Sequence, residues 1–130
     1  MTSFLQALLP KESAGRHRII NTRNGKVVAD RLLTAFDSES RRTGLLAHRS
    51  LPPSTAMIIA PTNAIHTFFM KFSIDIAFVA KDGRVVKIRS RVPAWRMTAA
   101  LRAYAVLELA AGSLDNSDTQ VGDRLAVSAE

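Results

Sequence analysis

The apolar segment at residues 63–83, which runs into an Asp-Gly turn, restricts the possible folds of this chain more than any other feature. It reads Asn-Ala-Ile-His-Thr-Phe-Phe-Met-Lys-Phe-Ser-Ile-Asp-Ile-Ala-Phe-Val-Ala-Lys-Asp-Gly. Its second half is rich in β-branched and aromatic residues, which is typical of a buried strand that leads into a hairpin. Before the turn, this segment contains His66, Lys71 and Asp75, which we expect to be either paired or functional, because burying an unpaired polar group is costly.

The register of this hairpin decides which side chains share a face of the sheet. A two-residue loop would place Phe78 opposite Lys87, so that core side chains and solvent-exposed side chains would share one face of the sheet. A three-residue loop with a left-handed Gly83 instead places Phe78 opposite Val86. We predict this second register, because it creates one continuous apolar face. Its residues are Ile74, Ile76, Phe78, Val86 and Ile88.

Most of the remaining chain is predicted to form short strands. Arg23-Asn24-Gly25 is a common hairpin turn, and it lies between two β-branched segments. The sequence pattern from Met97 to Ala103 has both helix and loop character, so it does not decide the secondary structure of that segment. The strands are expected at 17–21, 26–33, 56–60, 104–109 and 124–128.

One helix is predicted at about residues 38–47. Asp37 precedes it, where a carboxylate accepts hydrogen bonds from the exposed N–H groups of a first helical turn. Residues 113–119 can form one further helical turn. The predicted fold class is mainly β, at the margin of α+β: a small, mostly antiparallel barrel or folded sheet with one short helix.

The chain is predicted to contain a single folded domain. Its 130 residues are enough to bury about two-thirds of the unfolded surface without a disulfide or a metal. Residues 1–15 are expected to form a flexible N-terminal arm, although the apolar patch from Phe4 to Leu9 could dock on the body. Residues 16–130 then form one β-rich domain.

Cysteine is absent, which excludes disulfides, thiolate metal sites and a cysteine nucleophile. The N-terminal segment lacks a basic region and its short apolar patch stops at Pro10, so it does not fit a signal peptide. No apolar segment reaches membrane-spanning length. We therefore expect a cytoplasmic protein without a membrane partner.

The net charge of +7 is unevenly distributed along the chain. Residues 51–104 carry eight Lys or Arg against two acids, whereas the last 26 residues carry one against five. A basic body favours anionic partners and speeds their encounter with the protein.

Within this body, Lys87, Arg89 and Arg91 recur at every second residue, close in sequence to Trp95 and Arg96. Cations aligned on one strand face could hold a polyanion or a nucleic acid, with Trp95 as a stacking platform. The simpler interpretation is a solvated strand face, because no RNA-binding aromatic motif or basic recognition helix accompanies the cations. Arg84 and Arg102 extend the same basic strip at its two ends.

His66, Asp75 and Glu108 are the ionisable groups expected in or near buried strands, and they are the candidates for proton transfer. No serine lies in a Gly-x-Ser-x-Gly elbow, so the candidates lack a nucleophile. A structural role is the alternative for each, since Arg89 would pair with Asp75 in the predicted register.

The side chains of four residues could instead bind a small ligand: His66, Met70, Asp75 and Trp95. One histidine with nearby methionines does not make a metal site, so we predict neither metal nor cofactor.

Three segments occur in an order and spacing that are found together in one family. The central one reads His66-Thr67-Phe68-x-Met70 followed by Ile74-Asp75, and it is followed by Val106-Leu107-Glu108-Leu109 and then Gly122-Asp123. They resemble the bacterial and archaeal domain-of-unknown-function family 192 over residues 27–128. The family's Gly-Leu-Met-aromatic-Arg segment becomes Gly44-Leu45-Leu46-Ala47-His48-Arg49 here, with departures at Ala47 and His48. The resemblance implies no established activity, and many relatives look exported.

The sequence leaves three classes of function open. The first is a non-enzymatic binding or accessory domain for an unknown small molecule or protein, because no nucleophile motif, metal cluster or phosphate loop is found. The second is an enzyme that uses His66 and Asp75 as acid and base in a small pocket. The third is polyanion or nucleic-acid binding through the basic strip from Lys87 to Arg102. The sequence does not determine the oligomeric state.

Overall fold

The computed structural model describes residues 3–8, 16–37 and 50–129. Strands dominate this part of the chain, and a short α-helix, α1, spans Ser113–Asn116. A 3₁₀ turn spans Gln6–Leu8. The strands are β1 His17–Asn21, β2 Val27–Ala29, β3 Arg31–Ala35, β4 Thr55–Ile59, β5 Ala64–His66, β6 Ile74–Val79, β7 Val85–Val92, β8 Met97–Ala99, β9 Ala105–Ala110 and β10 Leu125–Ala129.

Among the described residues the strands form three sheets. The three-stranded sheet has the order β10-β1-β2, and the five-stranded sheet has the order β3-β4-β9-β6-β7. All pairings are antiparallel except β3 with β4. Strands β5 and β8 form the two-stranded sheet. No sheet closes into a barrel in the described ranges, so the mainly β prediction is confirmed in its folded-sheet form and the barrel alternative is wrong.

The five-stranded sheet is buried on both faces, because β4, β6 and β9 are apolar at nearly every position. One face packs against the three-stranded sheet and forms the first core. The other face forms the second core, against which Ile65 of the two-stranded sheet packs. Each large apolar side chain buried here contributes about 1.5–3 kcal/mol. Central residues of the first core are Ile19, Val28, Leu107, Leu109 and Leu125; those of the second are Met57, Ile74, Ile76, Phe78 and Val106.

The β6–β7 hairpin confirms the predicted turn but not the predicted register. Gly83 is left-handed with φ of 95°, and Val79 pairs with Val85 as a three-residue loop requires. An irregularity then shifts the pairing by one residue, so Phe78 lies opposite Lys87. The prediction was wrong because it assumed one solvated face, whereas both faces of β6 are buried and the apolar pattern does not select a register.

The shifted register also divides the predicted apolar face between the two cores. Ile74, Ile76 and Phe78 belong to the second core, and Val86 packs against it. Ile88 packs against the first core instead. The predicted membership of Ile88 in that face was therefore wrong.

Of the other predicted elements, one strand is divided in the structure and one helical turn is confirmed. The strand expected at 26–33 is divided at Asp30, since β2 joins the three-stranded sheet and β3 joins the five-stranded sheet. The helical turn expected within 113–119 is confirmed as α1. The helix predicted at 38–47 and the segment 44–49 lie outside the described residues. Within the described ranges, none of the helices has the length and the apolar character that a membrane span requires.

The described N-terminal segment, residues 3–8, contacts the body. Leu5 is 1% exposed and belongs to the first core. The Phe4 N–H donates to the Lys81 carbonyl oxygen at 2.8 Å, which attaches this segment to the β6–β7 turn. The arm boundary at residue 15 stays a prediction.

Candidate functional site

Asp75 is a buried carboxylate that binds the main chain. Its Oδ1 accepts a hydrogen bond from the Arg91 N–H at 2.9 Å. Its Oδ2 accepts from the N–H groups of Gly112 at 3.1 Å and Leu114 at 3.0 Å. These donors lie where β7 leaves regular pairing and where α1 begins, so Asp75 satisfies N–H groups that the sheet cannot. The pairing of Asp75 with Arg89 implied by the predicted register is wrong, because the register is shifted there.

Glu108 is a buried carboxyl group with no hydrogen-bond or ion-pair partner in the described part of the chain. It lies in the middle strand of the five-stranded sheet, opposite Met57 and Ile76. Opposite residues share a face, so its side chain enters the second core, where it is 5% exposed. Burial raises the pKa of Glu108 to about 7, because the charged form is poorly solvated there. This carboxyl can therefore exchange a proton near neutral pH.

Four rings form what we call the aromatic surface: His66, Phe68, Phe69 and Trp95. The Phe68 ring stacks on His66 with 4.8 Å between centroids and on Trp95 with 5.7 Å. The Phe69 ring meets Trp95 edge-on at 4.6 Å. Phe69 is 67% exposed and Trp95 is 57% exposed. Phe69 and Trp95 therefore expose neighbouring apolar rings to water, unlike hydrophobic residues that are scattered singly over a surface.

Thr67 holds together the two loops that carry the aromatic surface. Its hydroxyl donates to the Pro93 carbonyl oxygen at 2.7 Å and accepts from the Arg96 N–H at 2.9 Å. Its main-chain N–H donates to the Arg96 carbonyl oxygen at 2.8 Å, and its carbonyl oxygen accepts from the Trp95 N–H at 3.0 Å. Thr67 is 1% exposed, so these bonds are shielded from water. The result is a fixed separation between the 67–70 loop and the 93–96 loop.

Two residues of the aromatic surface have strained backbones. Phe69 has φ of 65° and Trp95 has φ of 68°, in the left-handed region that bulky side chains rarely adopt. Each such residue costs roughly 1–3 kcal/mol, and such strain is concentrated at functional sites. The Thr67 hydrogen bonds offset part of this cost. The rings of Phe69 and Trp95 are thus exposed on backbones that hold an unfavourable conformation.

The basic strip is less regular than the sequence predicts. Arg91 has φ of 51° and interrupts the alternation of β7 side chains between the two faces of the sheet. Val92 takes the inward position opposite Ile74. The Arg91 guanidinium contacts Asp115 at 3.4 Å. The Lys87 Nζ donates to the Ala99 carbonyl oxygen at 2.8 Å, so this cation is also engaged. The alignment of three cations on one face was therefore wrong, because the chain bulges where Asp75 binds it.

The structure joins some of the predicted site residues and leaves others apart. His66 and Trp95 share the aromatic surface, whereas Met70 is 8% exposed and belongs to the second core. No hydrogen bond links His66 to Asp75 or Glu108 among the described residues; His66 Nδ1 accepts from the Phe68 N–H at 3.3 Å. Nor is any group of three His, Asp or Glu side chains in those ranges suited to holding a metal ion.

Sequence reasoning missed Phe68, Phe69 and the connecting role of Thr67. The signal available was the pair of adjacent phenylalanines between Thr67 and Met70, since neighbouring residues cannot both point into one core. Thr67 could not have been identified in this way, because its partners lie 26 and 29 residues further along the chain.

Comparisons with known proteins give a family and a fold. The model of the family DUF192, described as "Uncharacterized ACR", matches residues 19–127. A solved structure from Sinorhizobium meliloti 1021, described as a "putative transcription regulator", is 24% identical with a TM-score of 0.75, over 86% of this chain and 92% of that one. A protein of unknown function from Novosphingobium aromaticivorans DSM 12444 is 22% identical with a TM-score of 0.73, over 89% of this chain and 88% of that one. No curated protein matches this chain. At these identities the two structures show the shared fold alone.

Proposed function

Because the chain belongs to the DUF192 family, whose description names no activity, we propose from the site alone that it is a binding domain whose aromatic surface contacts a ligand with planar rings. The observation that carries this proposal is the stack of His66, Phe68 and Trp95 with Phe69 at its edge. Stacked or edge-on contacts between rings contribute about 0.5–1.5 kcal/mol each beyond the area they bury.

The surface is also arranged for binding without a large rearrangement. Thr67 already holds the two loops, and Phe69 and Trp95 already project their rings. A ligand that meets a fixed surface loses less free energy to ordering the protein than one that meets a mobile loop.

The test uses the single tryptophan of the chain, Trp95, as a fluorescent probe. We expect adenosine and N-acetylphenylalaninamide to quench its emission saturably, because a stacked ring changes the indole environment. Free N-acetyltryptophanamide, which shows only collisional quenching, is the reference. Phe69→Ala should weaken saturation, while Val121→Ala, at another exposed apolar residue, should not. Quenching that stays linear for both compounds up to their solubility would overturn the proposal.

Proton transfer is a second candidate function, and Glu108 favours it more than the predicted pair of His66 and Asp75 does. Both oxygens of Asp75 are occupied by main-chain N–H groups. The Glu108 carboxyl has no hydrogen-bond partner among the described residues, and burial raises its pKa to about 7. Turnover of a hydrolase or lyase substrate that disappears in Glu108→Gln and persists in Asp115→Asn would support this candidate. Unchanged turnover in Glu108→Gln would remove it.

A further inference from the structure

We propose that the ligand of the aromatic surface is a single-stranded nucleic acid, whose bases stack on Trp95 and Phe69 while nearby cations contact its phosphates. This inference rests on the proposed function and specifies its ligand. Single-strand binding proteins combine these two elements, because every base has a π-face and every nucleotide carries one negative charge.

The first support is the position of the cations relative to the rings. Arg96 directly follows Trp95, and Lys71 follows the 67–70 loop; both side chains are exposed. Lys87 and Arg89 lie opposite Phe78 and Ile76. Since opposite residues share a face, both cations are on the side of the five-stranded sheet where the two-stranded sheet packs.

The second support is the scarcity of acids in the same region. Asp75 and Asp82 are the acids of residues 63–104. Asp75 is buried against main-chain N–H groups, and Asp82 pairs with Arg124 at 3.2 Å. Of the eight cations in this range, Arg91 alone forms an ion pair with a described carboxylate. Apart from Arg91, the cations of this range are therefore not neutralised by ion pairs with acids in the described part of the chain.

Charge also separates this ligand from neutral ring compounds. A sugar or an uncharged heterocycle would stack on the rings but gain nothing from Arg96, Lys71 or Arg89. An acidic protein segment without aromatic side chains would use the cations but leave the fixed rings without a planar partner. A single strand uses both features at once, since its bases and phosphates alternate at each nucleotide.

The experiment is fluorescence anisotropy of a labelled oligothymidylate of about 12 nucleotides, a length within the site sizes of single-strand binders. The full chain is titrated at low salt and again at fourfold higher salt. If about three phosphates are contacted, affinity should fall about 20-fold over this rise. Trp95→Ala should weaken binding about tenfold, as expected for one lost base stack.

Two variants distinguish the effect of a cation's position from the effect of the protein's net charge. Arg96→Ala should weaken binding and reduce the salt dependence, because one phosphate contact is lost. Arg31→Ala removes the same charge from β3, the edge strand farthest from β7 in the five-stranded sheet, and should have little effect.

The outcomes distinguish this inference from the proposed function. Saturable quenching by adenosine without salt-dependent oligonucleotide binding overturns the inference and leaves the proposed function standing. Failure of both ligands overturns both. Oligonucleotide binding that Trp95→Ala leaves unchanged shows attraction by charge alone and overturns the inference. Equal competition by polyglutamate overturns it in favour of an acidic protein segment.

Discussion

Replacing Glu108 with glutamine should remove a pH dependence from the stability of this protein. In the folded chain burial raises the pKa of Glu108 from 4.5 to about 7. The folded state therefore binds the proton more tightly than the unfolded state. Stability from the neutral carboxyl is fully present below about pH 4.5 and is lost as pH rises through about 7.

The size of the effect follows from the difference of about 2.5 pKa units between 4.5 and about 7. At 1.36 kcal/mol for each unit, the free energy of unfolding should fall by about 3 kcal/mol between pH 4.5 and pH 8. The glutamine side chain cannot ionise, so Glu108→Gln should lack this fall. Its buried amide carries its own desolvation cost, but that cost does not vary with pH.

The measurement is urea unfolding followed by far-ultraviolet circular dichroism at about pH 4.5 and about pH 8, compared between the wild type and Glu108→Gln. Asp115→Asn, which removes an exposed carboxylate, controls for the loss of one negative charge. Hydrogen bonding from Arg23 lowers the pKa of Asp123 from 3.8 to about 2. The stabilisation from that carboxylate is therefore lost as pH falls below 3.8 and through about 2, outside the range compared. Parallel pH profiles for the wild type and Glu108→Gln would refute the reasoning.

Three further substitutions test the contacts that shape the site. Thr67→Val should lower the free energy of unfolding by about 1–3 kcal/mol and abolish quenching of the tryptophan by adenosine, whereas Thr67→Ser, which keeps the hydroxyl, should retain most of both. Asp75→Asn should destabilise the fold by about 1–3 kcal/mol in urea unfolding, because an amide offers one acceptor oxygen where two are used; full stability would contradict the structural role. Gly83→Ala should lower the melting temperature, since φ is +95° and a Cβ would collide with the Leu125 carbonyl oxygen; an unchanged melting temperature would contradict this reading of the turn.

Local patterns predicted the elements whose formation depends on neighbouring residues. The Arg23-Asn24-Gly25 and Asp82-Gly83 turns, the buried β6 strand and the helical turn at α1 all form. Their signals are turn chemistry and β-branched segments, which act within a few residues of the chain. The division of 26–33 was not predictable in this way, because it depends on which sheet each half joins.

The hairpin register shows why the candidate site could be predicted only in part. Asp75 was expected to pair across the hairpin with Arg89, but it binds main-chain N–H groups at the start of α1 instead. Those donors are 37 and 39 residues away in the chain, and a local sequence pattern cannot predict a contact between residues so far apart. Glu108 was expected in or near a buried strand, and it lies in β9; the environment of its carboxyl depends on Met57 and Ile76 from two other strands.

The proposed function rests on the exposed rings, for which the fold shows no structural use. Thr67 and Asp75 lie in one short segment, and each satisfies main-chain groups of a distant loop, so their polarity is explained by folding. The rings of Phe69 and Trp95 are different, because they remain exposed on strained backbones that stability alone would not favour. Such exposed rings on strained backbones are explained if another molecule covers them. Weaker ligand quenching in Phe69→Ala, together with unchanged or improved stability, would be direct evidence that this surface serves binding at a cost in stability.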